Sequence, residues 1–108
     1  MGKKIRPAET TSIEVNRLRG KRKGASLREQ VWFKDGKVTG YSLTYINLKL
    51  SSVDNGRVLG SDNSHGYHHR HFMGTVEPVE FTSYTELARR FIDEVHELWR
   101  IEDAEDEG

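Results

Sequence analysis

The amino-acid sequence predicts an α+β fold, a small antiparallel sheet of four to five strands with one C-terminal amphipathic helix packed on one face. Three observations predict it. Apolar and polar residues alternate along much of the chain, the turn signals Asp35-Gly36 and Asp54-Asn55-Gly56 interrupt that alternation, and helical spacing sets in only after Ser83. The 108 residues, 34% hydrophobic and 31% charged, are enough for one domain, 1–108, with one core.

Residues 1–10 read as a flexible basic arm. Ile13, Val15 and Leu18 mark a first strand, which ends at the loop Gly20-Lys21-Arg22-Lys23-Gly24. Leu27, Glu29, Val31 and Phe33 alternate with Arg28, Gln30, Trp32 and Lys34 in a second strand. Asp35-Gly36 then fits a two-residue type I′ turn. A third strand is expected from about Lys37 to Leu50, with Tyr41, Leu43, Tyr45 and Asn47 on one face and apolar residues on the other as well. After Asp54-Asn55-Gly56, residues 57–61 pair back and deliver Asp62 to the end of the sheet. His69 to Met73 forms a further strand, and the extended segment 76–81, which contains Pro78, suits an edge. Ser83-Tyr84-Thr85-Glu86 has the capping-box form, and Leu87, Phe91, Val95 and Leu98 recur at helical spacing, so a helix runs from about Tyr84 to Glu102. Residues 103–108 read as an acidic tail.

The charge is balanced overall but polarised. Residues 1–28 carry nine Lys/Arg against two acids, and residues 93–108 carry eight acids against one Arg. A basic end attracts phosphate. Lys21, Arg22 and Lys23 are the expected phosphate contacts, with Tyr67 as an aromatic able to stack on a base; Trp32, Tyr41 and Tyr45 could stack likewise, but as strand aromatics they are expected in the core. The absence of cysteine excludes disulfides, thiolate metal sites and a cysteine nucleophile. No apolar run reaches the roughly 18 residues of a membrane span, so a cytoplasmic protein with no membrane partner is expected. P-loop, Rossmann, Gly-x-Ser-x-Gly and His-Glu-x-x-His motifs are all missing, which removes support for the chemistries they serve.

One segment stands out. Residues 62–71, Asp62-Asn63-Ser64-His65-Gly66-Tyr67-His68-His69-Arg70-His71, hold four of the five histidines. Imidazole exchanges protons near neutrality, and Arg70 adds a fixed cation for phosphate oxygens. A base, an acid and a cation are what RNA phosphodiester cleavage requires, and no metal is needed for it. If residues 68–72 are extended, His69 and His71 share one face while His68 and Arg70 point to the other. A second reading makes His69 and His71, with Asp62 or His65, the ligands of a divalent metal. In a third, the histidines cap and pack a polar loop. A fourth is a non-catalytic module that binds nucleic acid through the basic region and protein through the acidic tail.

The pattern Asp62-Asn63-x-His65-Gly66-x-His68-His69-Arg70-His71, preceded by a hairpin and followed by a capped helix, resembles small TumE-type toxins of prokaryotes over roughly residues 30–99. The resemblance implies a toxin of a toxin–antitoxin pair acting on RNA, with Asp62, His68, His69, Arg70 and His71 as the matching positions and an antitoxin protein as partner. This chain departs from the usual pattern in its short spacer after Asp62-Asn63 and in its basic first strand and Lys-Arg-Lys loop. Exposed strand edges point to a homodimer.

Overall fold

The computed structural model describes residues 9–107. Six strands form one antiparallel meander: β1 (Glu9–Arg17), β2 (Ser26–Lys34), β3 (Lys37–Ile46), β4 (Arg57–Asp62), β5 (His69–Phe72) and β6 (Thr75–Pro78), each paired with its sequence neighbours. Helix α1 (Tyr84–Glu107) lies over β3 and β4. The expected α+β class holds, with six strands in place of four to five. The extra strand comes from the chain reversing at Met73-Gly74, where both residues have positive φ (45° and 89°) and Phe72 faces Thr75 across a two-residue turn. Met73, expected inside a strand, is in that turn.

The expected turns form. Asp35 and Gly36 have φ of 52° and 74°, as a type I′ hairpin requires. β3 ends at Ile46, four residues before the expected Leu50, because the Asn47 side chain accepts the Lys49 amide while its carbonyl accepts those of Leu50 and Ser51. Ser83 caps the helix by accepting the Glu86 amide at 3.1 Å, but the Glu86 carboxylate turns to Arg89 and does not complete the box. The helix continues to Glu107, five residues past the expected end, so residues 103–107 of the acidic tail are helical. Of the expected basic arm, Glu9 and Thr10 are paired in β1, and residues 1–8 lie outside the described residues.

The two sheet faces differ in kind. On one face Tyr41, Leu43, Tyr45 and Leu59 are buried under Leu87, Phe91 and Val95 of α1, forming the core. The opposite face is not covered by the helix, and its side chains line up in transverse rows. One row runs across all six strands as Ile13, Gln30, Ser42, Asp62, His69 and Pro78, and the next as Val15, Arg28, Thr44, Gly60, His71 and Val76. The meander thus places residues distant in sequence side by side on the open face.

Candidate functional site

Asp62 ends β4 on the open face, and the pairing of β4 with β5 sets His69 directly opposite it. Two residues further along β5, the strand period returns His71 to the same face. The Asp62 carboxylate is shared between the two rings: Oδ1 lies 2.7 Å from His69 Nε2, and Oδ2 lies 2.9 Å from His71 Nε2. All three residues are buried, at 8%, 3% and 9% exposure. The Ser64 amide (3.1 Å) and hydroxyl (2.7 Å) also donate to Oδ1, a local turn that fixes the carboxylate.

The two rings face different kinds of partner at Nδ1. His69 Nδ1 is 3.1 Å from the Tyr67 carbonyl, which only accepts. Both nitrogens of His69 therefore face acceptors. His71 Nδ1 instead meets the Arg57 guanidinium at 3.1 Å, which only donates, so Nδ1 accepts and Nε2–H donates to Asp62. His71 is neutral in this arrangement. Consistent with this, burial first and the Arg57 charge second push the His71 pKa below its ordinary value, against the pull of Asp62. Burial alone would raise the Asp62 carboxyl. Hydrogen bonds from Ser64, followed by electrostatic attraction to the two imidazoles, outweigh burial and hold the carboxyl below the usual carboxylate value.

Arg57 reaches His71 because Gly60 stands between them. A Cβ on Gly60 would sit 2.9 Å from Arg57 Cδ. The guanidinium is anchored at its other side by Asp54, Nε to Oδ2 at 2.6 Å. Sequence reasoning missed Arg57. The available signal was Gly60 itself, since glycine inside a strand often marks a close approach.

Beside Asp62 the open face dips into a cavity of about 410 Å³ lined by Gln30, Trp32, Ser42, Asn63 and Ser64. Trp32, expected in the core, is half-buried on this face, and its ring lies against Gly40, where a Cβ would come within 3.2 Å of Cε3. Asn63 is fully engaged, accepting the Tyr41 amide and donating to the Thr39 carbonyl, so it ties the Asp62 turn to β3. Tyr67, 48% exposed, packs on His69 with ring centroids 4.6 Å apart.

The remaining expected site residues lie elsewhere. Arg70 projects to the helix face, where Glu94 of α1 and Glu77 of β6 neutralise it. His68 is stacked on Phe81, and its Nδ1 shares a hydrogen bond with the Tyr41 hydroxyl at 2.7 Å. That hydroxyl stays protonated at neutral pH, since burial and the nearby Asp62 charge push its pKa up to about 12. His65 is exposed in the turn Ser64–Gly66 and is not among the metal-competent donors. Lys21 and Arg22 both pair with Asp103 of α1, with Arg22 also lying over Trp99, and Lys23 is exposed.

Asp62, His69 and His71 place three donor atoms within 4.8 Å of one another. His69 suits a metal, because its Nδ1 is oriented by a carbonyl. His71 does not while Arg57 is present: a metal on Nε2 would leave Nδ1–H pointing at a guanidinium that only donates.

The fold and site together define a small α+β protein with a carboxylate–imidazole pair on the uncovered face of an antiparallel meander. Residues 6–99 match the family model described as toxin TumE, and the chain belongs to that toxin family. No curated protein and no solved structure matched it. Among the described residues no helix is long and apolar enough to cross a membrane.

Proposed function

We propose that this chain is the toxin of a toxin–antitoxin pair and a metal-free ribonuclease, acting in the cytoplasm until an antitoxin protein neutralises it. The observation that carries the proposal is the Asp62 carboxylate, which holds two imidazoles whose Nδ1 atoms face opposite kinds of partner, an acceptor at His69 and a donor at His71. In this reading the donor-facing His71 is the base and the acceptor-facing His69 the acid that cleavage by the 2′-hydroxyl needs.

A single-stranded RNA lies on the open face with one base on Trp32 and its edge toward Gln30 and Ser42, which line the cavity beside Asp62. Its phosphate draws Arg57 away from His71, and the freed Nδ1 lone pair takes the 2′-hydroxyl proton. The 2′-oxygen attacks phosphorus, and His69 gives a proton to the departing 5′-oxygen. The products are a 2′,3′-cyclic phosphate and a 5′-hydroxyl end. Asp62 orients both rings and stabilises the imidazolium that forms at His71, the part a buried carboxylate plays beside a catalytic histidine. Arg57 takes the phosphate role expected of Arg70. The binding-module reading loses support because Lys21 and Arg22 are already paired with Asp103.

The test is cleavage of a mixed single-stranded RNA by wild-type and His71→Ala protein, each with and without EDTA. The expected outcome is EDTA-resistant cleavage that falls at least about 100-fold in the variant. Absence of cleavage under every condition would sink the nuclease reading, and cleavage abolished by EDTA would replace it with a metal centre at Asp62 and the two histidines.

A further inference from the structure

The sheet ends in two very different edges. β6 is four residues long and closes at Pro78, features that discourage further strand pairing. β1 is nine residues long, contains no proline, and pairs with β2 in unbroken register from Glu9 to Arg17. Every one of its residues is exposed, including Ile13 at 55% and Val15 at 48%, and among the described residues nothing pairs with its outer edge. A long regular edge with β-branched side chains is a template for another strand.

The sequence of β1 indicates which strand that is. In an antiparallel pairing of β1 with a second copy about a two-fold axis through Ile13, all nine residues overlap. Glu9 then faces Arg17 of the second copy, Thr11 faces Val15, Ser12 faces Glu14, and Ile13 faces itself. Opposite charges meet at both ends, and β-branched side chains meet along the open face. Shifting the register by one step toward the C-terminal end sets Glu14 against Glu14. The shift the other way sets Glu9 against Val15, and both shifts shorten the overlap. Facing residues in the central register share parity, so the outward N–H and C=O groups of one copy meet those of the other.

We propose that the chain forms a two-fold homodimer through β1, making one continuous sheet of twelve strands, six from each copy. Ile13 ends the transverse row that contains Gln30, Ser42, Asp62 and His69, so the two open-face rows become one row joined at the dimer axis.

Sedimentation velocity over a concentration series tests the proposal, with thermal melts confirming that each variant is folded. Wild type is expected to sediment at twice the chain mass at high concentration. Ile13→Lys, which sets two like charges against each other at the axis, is expected to be monomeric with its fold retained. Glu9→Lys and Arg17→Glu singly are each expected to weaken association about tenfold, and the double variant Glu9→Lys/Arg17→Glu to restore it. A wild type that remains monomeric throughout overturns the proposal. So does a dimer indifferent to Ile13→Lys, and a double variant no better than the singles overturns the register.

Discussion

The difference between His69 and His71 comes from one atom on each ring: a carbonyl oxygen opposite His69 Nδ1 and a guanidinium nitrogen opposite His71 Nδ1. Arg57 lowers the proton affinity of His71, so its removal must raise it. In Arg57→Ala the His71 ring is expected to titrate at a higher pH than in wild type when followed by NMR, and an unchanged or lower midpoint would contradict the contact. Gly60→Ala should act in the same direction by a different route, because the added methyl displaces Arg57 and leaves its charge in place. That the two histidines share a face was legible from the strand period alone. Arg57 was not, because its contact with His71 passes over a glycine between neighbouring strands and leaves no spacing pattern in the chain.

The turns decide the register of the elements, and those built from Asp-Gly and Asp-Asn-Gly were legible because such residues tolerate positive φ. Met73-Gly74 was not, since methionine gives no sign of a left-handed conformation. Its φ of 45° costs an ordinary side chain about 1–2 kcal/mol. Met73→Asn is therefore expected to stabilise the protein by about 1 kcal/mol in urea unfolding, through the Asn-Gly pair that type I′ turns favour. A loss of stability would mean that Met73 contributes packing that outweighs its backbone cost. At the helix start, Ser83→Ala should cost about 1 kcal/mol by removing the acceptor of the Glu86 amide. The far end of α1 was misjudged because its support comes from distant parts of the chain: the Tyr45 hydroxyl donates to Glu102, and Lys21 and Arg22 hold Asp103. Neither contact has a local signature among residues that read as a solvated acidic run.

Across the whole molecule the two charge poles of the sequence meet where the loop after β1 touches α1, so the polarity acts within the fold. The site adds a pH dependence of its own. His71 has a lowered pKa in the fold, so the unfolded chain binds its proton first, and stability present above the unfolded value of about 6.5 is lost as the pH falls toward the folded one. Asp62, also lowered, contributes stability above about pH 4 that is lost at more acidic pH. The urea midpoint should thus drop between pH 7 and pH 5, with a shallower drop in His71→Gln. An equal slope in both proteins would place the acid sensitivity elsewhere.

Because every strand pairs only with its sequence neighbours, the sheet can assemble in the order in which the chain is made. The cluster of Asp62, His69 and His71 is complete once β5 has joined β4. The apolar face holding Tyr41, Leu43, Tyr45 and Leu59 has no cover until Leu87, Phe91 and Val95 follow. During synthesis there is an interval in which Asp62 and the two histidines are already aligned and the core behind them is still exposed to water. A covered core therefore waits for the last quarter of the chain to leave the ribosome, and truncation before Val95 should leave an insoluble sheet.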